Sequence, residues 1–377
     1  MINWINLNFH FLCLRTKLHN LNLVDYNVIG VMSGTSLDGL DLVAVRFSRK
    51  KTWSFSITKA KTYSYSPSWK SDLSSLSDKE DSEIESTEMK FIELLAEFII
   101  DFKKDLGEID AICSHGHTVF HKPDQGITFQ IGNRQLLSDL LKLPLVCDFR
   151  TQDVALGGQG APLVPIGDRE LFSQYSACLN LGGFANLSRT ADVGTIAYDI
   201  GAVNTVLNHL AQQLDLEYDN GGEIAKRGIF IPELGKKLDS LHFYQKQPPK
   251  SLGIEWVKSE LFPLFKDFES HPIEDLLHTY TQHIGNQIAQ NFSGTDKVLF
   301  TGGGVKNNFL IEVISRAIKC SFTIPDPQII DFKEALIFGF LGVLRLENEV
   351  NCLASVTGSS IDHSSGIIFY PNFKGVH

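Results

Sequence analysis

The sequence predicts an α/β protein built from two domains. Short apolar runs typical of strands alternate with longer stretches whose apolar residues recur at helical spacing. The chain has 377 residues, more than the roughly 250–300 beyond which a single hydrophobic core stops growing. An apolar run followed by a glycine-rich turn also occurs three times, as a repeat of geometry rather than of sequence. Two α/β domains, each with its own core, account for these observations.

The first predicted element is a strand, a turn and a second strand. Two partly alternating apolar runs, Tyr26–Val31 and Leu40–Phe47, are joined by the polar, glycine-containing segment 32–39. Segment 64–88 is rich in Ser, Asp and Glu, so we expect a loop and a helix start there. The elements expected next are a helix over Met89–Phe102, a strand over Ala111–Cys113, a helix over Arg134–Lys142 and a strand over Leu145–Cys147.

The second half begins with the same arrangement. The strand-like run Cys178–Leu181 is followed by a glycine turn over 182–186 and another apolar run. The third occurrence, Val298–Thr301 before the turn 302–308, leads instead into a helical pattern over Phe309–Ile318. A last apolar helix is expected over Lys333–Leu346, before a tail rich in Ser and Gly.

Composition narrows the class of partner. Hydrophobic residues make up 43% and charged residues 21% of the chain, which is typical of a folded globular protein. With 34 basic against 44 acidic residues, the net charge is −10, and no stretch approaches the roughly 18 apolar residues of a membrane span. We therefore expect neither a nucleic acid nor a membrane as partner. The 6 cysteines are scattered with no Cys-x-x-Cys pair, which indicates reduced thiols and a cytoplasmic location.

The N-terminal segment is predicted to lie outside the fold. Residues 1–25 contain one short apolar run and neither the basic start nor the cleavage pattern of a signal peptide. We expect the first domain over residues 26–175 and the second over 176–377, with the C-terminal helix free to return to the first. The sequence does not fix the oligomeric state, and a homodimer is among the assemblies that it allows.

The three glycine turns indicate a phosphate-rich ligand. Glycine at a strand end allows a ligand to approach closely and lets successive backbone N–H groups converge on an anion. The first turn adds the hydroxyls of Ser33, Thr35 and Ser36, and Asp38 could hold Mg²⁺ directly or through water. The turn lacks the Gly-Lys-Ser/Thr ending of a P-loop. A single such turn is more often an ordinary hairpin, but three of them favour nucleotide binding.

A phosphoryl transferase also needs a group that activates the nucleophile. The candidate carboxylates are Asp38, Asp148, Asp153 and Asp199. Asp199 ends the strand-like run 195–198, so it is expected at a strand end beside a turn. The pattern suits equally an aspartate that caps a helix beginning near Asn204. Arg150 likewise suits either a bidentate bond to a substrate carboxylate or a structural ion pair.

Two alternatives belong to other functional classes. His115 and His117 stand one residue apart at a predicted strand end, as in zinc-dependent hydrolases, although no second paired-His motif occurs. A nucleotide-binding switch without catalysis would use the same glycine turns but needs no base. The loop Gly157–Gly160, bounded by prolines, is expected to be a hinge or a cleft wall. Lys250 is a further candidate, with solvent exposure as its default.

An ordered series of motifs resembles the anhydro-N-acetylmuramic acid kinases. The series runs from about Tyr26 to the C-terminal region, and so long a series is far more specific than one glycine turn. The matching segments are Ile29–Gly39, Ser114–Thr118, Gln130–Asn133, Asp148–Pro165, Asn180–Asn186, Thr301–Gly304 and Val356–Gly358.

The resemblance implies a two-lobed fold of the actin, Hsp70 and sugar kinase (ribonuclease H-like) type, with ATP and Mg²⁺ in a cleft between the lobes. It also implies a reaction that opens the 1,6-anhydro ring of the sugar with water and phosphorylates O6. This gives N-acetylmuramic acid 6-phosphate and ADP, in the recycling of cell-wall peptidoglycan. The partners are thus ATP and a small amino sugar.

The resemblance also assigns roles to residues. Asp199 falls on the family's catalytic aspartate, while Thr118 and Arg150 would contact the sugar or its lactyl carboxylate. The nucleotide would be held by the first loop, by the second turn and by the turn beside the nucleoside: Gly34, Thr35, Ser36, Leu37, Asp38, Gly39, Leu40 and Asp41, then Gly182 and Gly183, then Gly302, Gly303 and Gly304.

The sequence departs from the family at two informative positions. After the aspartate, many relatives read Gly-Pro-Gly-Asn, whereas segment 201–204 reads Gly-Ala-Val-Asn. His117 stands where the family often has Gln. The base is kept, so the departures bear on the shape of its loop and on sugar specificity.

Overall fold

The computed structural model describes residues 24–34, 37–191 and 194–372. The proposed ligands Thr35 and Ser36, Cys13 and nearly all of the expected N-terminal extension lie outside these residues. The contacts divide the chain into two compact units. The first unit runs to Leu171 and takes up the chain again from Phe332, and the second comprises Phe172–Asp331.

The first unit is built on a seven-stranded sheet. Its main path has the order β12-β6-β4-β1-β2-β3, and β5 pairs with β4. β1, β2 and β3 form an antiparallel meander, while β4 lies parallel to β1 and β6 parallel to β4. The strands are β1 (Val24–Ser33), β2 (Gly39–Arg49), β3 (Trp53–Ser64), β4 (Ala111–Lys122), β5 (Ile127–Ile131), β6 (Leu145–Cys147) and β12 (Ile367–Phe369).

Helices cover this sheet because their apolar faces have to be buried. Side chains of α2 such as Phe91 and Leu95 are fully buried, in one cluster with Ile29 and Leu40 of the sheet. The helices assigned to this unit are α1 (Pro67–Ser74), α2 (Asp81–Phe102), α3 (Gln135–Leu141), α4 (Thr151–Ala155), α5 (Val164–Leu171), α15 (Ala354–Thr357) and the part of α14 (Pro327–Leu346) from Phe332 onward.

The long helix α14 packs very closely against the first strand. A Cβ atom added to Gly30 would lie 2.0 Å from the carbonyl oxygen of Ala335, so only glycine fits there. A buried ion pair with an N–O distance of 2.7 Å joins Lys333 of α14 to Asp168 of α5. These contacts hold the C-terminal part of the chain in the first unit.

The second unit repeats the same strand order with five strands. β7, β8 and β9 form an antiparallel meander, β10 lies parallel to β7, and β11 lies parallel to β10. The shared topology confirms the α/β class and the repeated geometry predicted from the sequence. The strands are β7 (Ala177–Leu181), β8 (Phe184–Ala191), β9 (Gly194–Ala202), β10 (Lys297–Thr301) and β11 (Ser321–Thr323).

The core of the second unit lies between this sheet and its helices. Fully buried residues of the sheet, such as Leu179 and Phe300, share one cluster with Tyr280 and Ile284 of α12. The helices are α6 (Asn204–Ala211), α7 (Glu223–Arg227), α8 (Pro232–Asp239), α9 (His242–Gln245), α10 (Ile254–Trp256), α11 (Phe262–Lys266), α12 (Ile273–Ala289) and α13 (Asn308–Ala317).

Three elements differ from the sequence prediction. β3 was not predicted, because it is an edge strand whose side chains are mostly polar or partly exposed. Segment 64–88 was expected to hold a loop and a helix start; the first two turns of α2 confirm the helix start, but α1 lies where a loop was expected. β9 continues through Asp199 to Ala202, so the aspartate lies within a strand instead of ending one. Within the described residues, no helix is both long enough and apolar enough to cross a bilayer.

Candidate functional site

The turn between β1 and β2 carries the first set of candidate residues. Gly34 and Leu37 close it through a hydrogen bond from the Leu37 amide to the Gly34 carbonyl, with Leu37 at a φ of 59°. Asp38 is exposed at the turn, where its carboxylate is open to a ligand. Gly39, Leu40 and Asp41 already belong to β2.

Gly39, Leu40 and Asp41 therefore contribute to the packing and pairing of the sheet and not to the turn. The Leu40 side chain is fully buried in the core, and the Asp41 carboxylate accepts a hydrogen bond of 2.5 Å from Thr62. A Cβ atom on Gly39 would lie 2.5 Å from the Tyr63 carbonyl, so this glycine is required by the neighbouring strand. Among the described residues of the predicted loop, the open positions are Gly34, Leu37 and Asp38.

The paired histidines of β4 are hydrogen-bonded to protein atoms. Nδ1 of His115 lies 2.9 Å from the Gly116 carbonyl, and its Nε2 accepts a hydrogen bond of 2.9 Å from Nε of Arg150. Nδ1 of His117 lies 2.9 Å from the Ser33 hydroxyl. Burial, assisted by the charge of Arg150, holds the pKa of His115 well below its ordinary value, and burial lowers the pKa of His117 to about 4. Both are neutral at neutral pH, and this arrangement does not favour the metal-dependent hydrolase.

Arg150 is fixed by two of its three guanidinium nitrogens. Besides the bond to His115, its Nη1 donates to the Gly160 carbonyl at 2.6 Å. Burial lowers the pKa of Arg150 to about 10, so it stays charged at neutral pH. Among the described residues Nη2 has no hydrogen-bond partner, and it is free to bind a carboxylate. The hydrogen-bond partners of the guanidinium among the described residues are neutral, so the structural ion pair is not formed, and the bond to a substrate carboxylate stays a prediction.

Thr118 and Asp148 lie in the same unit. Thr118 is half-buried in β4 and pairs with Gln130 of β5. Asp148 has a φ of 56° and accepts a hydrogen bond of 2.6 Å from the Thr151 hydroxyl at the start of α4. A cavity of about 340 Å³ in this unit is lined in part by Gln130, Asp148 and Thr151.

Asp153 is a structural acceptor rather than a base. Its side chain is fully buried, and it accepts hydrogen bonds from the Gly160 amide, the Thr357 hydroxyl and the Cys352 thiol. Those bonds outweigh the effect of burial and hold the pKa of Asp153 below its ordinary value. The loop Gly157–Gly160 is thereby tied to Asp153, which argues against its being a hinge.

Asp199 is the candidate base of the second unit. Its Oδ2 accepts hydrogen bonds from the Leu252 amide at 2.8 Å and from the Ser251 hydroxyl at 3.1 Å. Burial raises the pKa of Asp199 above its ordinary value, against the lowering effect of these two bonds. Within the described residues Oδ1 has no hydrogen-bond partner. The helix-capping alternative is wrong, since α6 begins after Val203 and has no side-chain cap.

The two glycine turns of the second unit lie side by side. A Cβ atom on Gly302, which has a φ of 83°, would lie 2.5 Å from Oδ1 of Asn180 and 2.7 Å from the Leu181 carbonyl. Gly182 follows directly after those two residues. The Gly183 carbonyl accepts hydrogen bonds from the amides that open α6. Apart from its chain neighbours, no described residue has an atom within 4 Å of a Cβ atom built on Gly303.

Two features of the site were missed in the sequence. Ser251 and Leu252 hold Asp199, although the sequence pointed to the neighbouring Lys250. The Lys250 side chain instead donates to the Phe243 carbonyl, and only its own carbonyl faces Asp199 by accepting from the Asp199 amide. Glu334 of α14 is the second feature, since this exposed carboxylate lies near enough to Arg150 to interact with its charge. Isolated Ser and Glu residues carry no motif that could have marked them.

The candidate groups of the two units, taken together, are of the types that one kind of reaction needs. Within the described residues, the second unit offers a carboxylate with one oxygen free of hydrogen bonds and a raised pKa, together with glycine turns that a ligand can approach closely. The first unit offers a fixed guanidinium cation and an exposed carboxylate in a turn. Such groups suit a transfer reaction between anionic substrates.

Known proteins resemble the chain over nearly its full length. The sequence model of the family described as anhydro-N-acetylmuramic acid kinase matches residues 26–371. Two relatives carry the same description. The one from Bacillus thuringiensis subsp. konkukian is 31% identical to this chain, and the one from a strain of Bacillus cereus is 30% identical. Each match covers 91% of this chain and 99% of the relative. The activator of the 2-hydroxyisocaproyl-CoA dehydratase from Clostridium difficile covers 85% of the chain and 97% of its own, with 12% identity and a TM-score of 0.40. That structural likeness is too weak to indicate an activity.

Proposed function

The chain belongs to the anhydro-N-acetylmuramic acid kinase family, and from this premise we propose how its residues divide the reaction. The enzyme uses ATP to convert anhydro-N-acetylmuramic acid to N-acetylmuramic acid 6-phosphate in peptidoglycan recycling. The proposal concerns the base, the groups that hold ATP and those that hold the sugar.

Asp199 is the general base. The observation that carries this assignment is its asymmetric carboxylate: Oδ2 is held by Ser251 and Leu252, whereas Oδ1 has no hydrogen-bond partner within residues 24–34, 37–191 and 194–372. Fixing one oxygen orients the other, and the raised pKa makes it a stronger proton acceptor.

In the proposed reaction, every bond that breaks is matched by a bond that forms, and the proton of the attacking water has a defined acceptor. Water attacks the anomeric carbon and gives its proton to Oδ1 of Asp199. The bond between the anomeric carbon and O6 breaks, and O6 takes the γ-phosphoryl group as the bond to the β-phosphate oxygen of ATP breaks. The products are ADP and the sugar 6-phosphate, and the proton on Asp199 passes to solvent.

The glycine turns hold the nucleotide. Gly34, Gly182 and Gly303 carry no side chain, so the backbone of each turn can approach phosphate oxygens or the nucleoside closely. Mg²⁺, when bound, neutralises phosphate charge. The exposed carboxylate of Asp38 is an oxygen ligand of the kind that Mg²⁺ takes, and Asp38 would hold it directly or through water.

The sugar is held by Arg150 and Thr118. The free Nη2 of Arg150 binds the lactyl carboxylate, since a charged donor to a carboxylate is the stronger kind of hydrogen bond. The Thr118 hydroxyl is half-buried and can bond a sugar hydroxyl. We also propose that the enzyme acts in the cytoplasm, where the recycled sugar and ATP meet.

The test is ADP release by the purified protein with ATP and Mg²⁺, with and without the anhydro sugar. We expect sugar-dependent release from the wild type and a loss of about 10²–10⁴-fold in Asp199→Asn, because the amide cannot accept the proton. The matched control is Asp215→Asn, at an exposed position with a φ of 58° that asparagine tolerates.

Two results of this experiment would contradict different parts of the proposal. Asp199→Asn with full sugar-dependent release and an unchanged melting temperature would remove Asp199 from its role and leave the enzyme assignment standing. A wild type that releases no more ADP with the sugar than without it would mean that segment 201–204 has changed the substrate.

A further inference from the structure

Three buried side chains of the first unit bring a sulfur, a nitrogen and an oxygen ligand together. They are Asp153, Cys352 and His363, which are 0%, 1% and 6% exposed. Their ligating atoms all lie within 4.8 Å of one another. Oδ1 of Asp153 lies 3.0 Å from Sγ of Cys352 and 3.7 Å from Nε2 of His363.

The backbone holds the cysteine and the histidine opposite each other. Cys352 and His363 form an antiparallel bridge in which each amide donates to the other's carbonyl at 3.1 Å. Asp153 comes from α4, far away in sequence, and its other oxygen accepts from the Gly160 amide at 2.7 Å. The three ligands are therefore positioned by separate, fixed parts of the fold.

One atom of the cluster, Nε2 of His363, is a buried hydrogen-bond acceptor. Nδ1 of His363 lies 3.0 Å from the Ile361 carbonyl, which can only accept, so the ring proton sits on Nδ1. Nε2 then carries a lone pair, and it is buried with no hydrogen-bond partner in the part of the chain that the structure describes. A buried acceptor without a donor is costly, and its position beside a thiol and a carboxylate is where a cation would satisfy it.

From this arrangement we propose that Asp153, Cys352 and His363 form a binding site for a zinc-class divalent cation. Ligands at about 2.0 and 2.3 Å from one tetrahedral ion lie about 3.5 Å apart. The observed separations of 3.0 and 3.7 Å bracket that value, so small side-chain movements suffice. The Thr357 hydroxyl, 2.7 Å from Oδ1 of Asp153, or a water completes the fourth position.

Binding changes the protonation of one ligand. The Cys352 thiol gives up its proton to solvent and the thiolate bonds to the metal, while the carboxylate and the neutral imidazole bind as they are. Two negative ligands and a divalent cation leave the buried site with no net charge, which avoids the cost of an isolated buried ion. The site would clamp segment 351–363 to the α4 loop, and it does not depend on the proposed catalytic roles.

The test uses the full chain, stripped with a chelator and titrated with Co²⁺ as an optical substitute for Zn²⁺. We expect one equivalent to bind with visible bands of a tetrahedral ion and a thiolate-to-cobalt charge-transfer band. Zn²⁺ added in one equivalent should then displace the cobalt. Absence of a thiolate band in the wild type would overturn the proposal.

Matched variants assign the ligands. Cys352→Ser should lose the charge-transfer band, whereas Cys320→Ser, at a half-buried thiol of the second unit, should keep it. His363→Gln should weaken Zn²⁺ binding by about tenfold or more in a chelator competition. His278→Gln, at a histidine whose Nδ1 also faces a carbonyl, should not. A band that persists in Cys352→Ser, with the melting transition intact, would place the metal elsewhere and refute the site.

Discussion

At the scale of single residues, the surroundings of two aspartates decide their roles. Asp153 and Asp199 both accept backbone N–H groups, but Asp153 is fully buried and both of its oxygens are occupied. Asp199 is half-buried, and one of its oxygens has no hydrogen-bond partner among the residues that the structure describes. Neither difference is visible in the sequence, where both were candidate bases. The partners that distinguish them lie about 50 residues or more away, apart from Gly160.

The free carboxylate of Asp199 should impose an acidic limb on kcat/KM. A protonated Asp199 cannot accept a proton, so activity is present above its pKa and is lost as the pH falls through it. Because burial raises that pKa, the loss should begin at a higher pH than for an ordinary aspartate. The pH profile of the wild type measures this directly.

The Ser251 hydroxyl bond lowers the same pKa, so Ser251→Ala should move the acidic limb to higher pH. The Leu252 amide still holds the carboxylate, and activity well above the limb should change little. Ser259→Ala is the control, since that hydroxyl donates to the Trp256 carbonyl. A limb that stays in place or moves to lower pH in Ser251→Ala would contradict the assignment of Asp199 as base.

At the scale of elements, the sequence predicted what local patterns determine. The apolar runs that became β1, β2, β7 and β10 were predicted because their residues are apolar and bounded by glycine turns. β3 was missed because its polar pattern is explained only by pairing with β2. The extension of β9 through Asp199 was missed because the Lys250 carbonyl that accepts from the Asp199 amide comes from a distant segment.

The turn after β10 provides a prediction in which two neighbouring glycines behave differently. Gly302→Ala would need a φ of 83° and would place its Cβ 2.5 Å from Asn180. We expect it to lower the free energy of unfolding by about 1–3 kcal/mol, measured by denaturant titration. The Cβ of Gly303→Ala would meet no atom of the described residues within 4 Å, apart from its chain neighbours, and this variant should change the free energy of unfolding by less than about 0.5 kcal/mol.

The same pair tests whether this turn approaches the nucleotide. If it does, Gly303→Ala should raise the KM for ATP while its stability is unchanged, because the added methyl group points into open space. Equal stability of the two variants would show that the Gly302 conformation is not required. An unchanged KM in Gly303→Ala would remove this position from the nucleotide site.

At the scale of the whole molecule, the two α/β units share one strand order. Asp199 and two glycine turns belong to the second unit, whereas the β1–β2 turn, Thr118 and Arg150 belong to the first. Neither unit alone carries every group that the proposed reaction needs. Membership of the family was predictable because its motifs are spread along the chain, so the full series could be matched in order.

The net charge of the whole molecule is negative, so it repels the anionic substrates. The chain carries −10, while ATP and the lactyl sugar are anions. Salt screens charges beyond the Debye length of roughly 10 Å at 0.1 M, but it hardly affects contacts such as Arg150 with a carboxylate. Raising ionic strength should therefore weaken the general repulsion more than the local attraction.

We expect the KM for the sugar to fall by about two- to threefold between low and physiological salt, measured at saturating ATP and fixed Mg²⁺. The methyl ester of the sugar, which lacks the charge, is the control and should show little change. A KM that rises with salt for the acid alone would mean that local cations dominate the approach of the substrate.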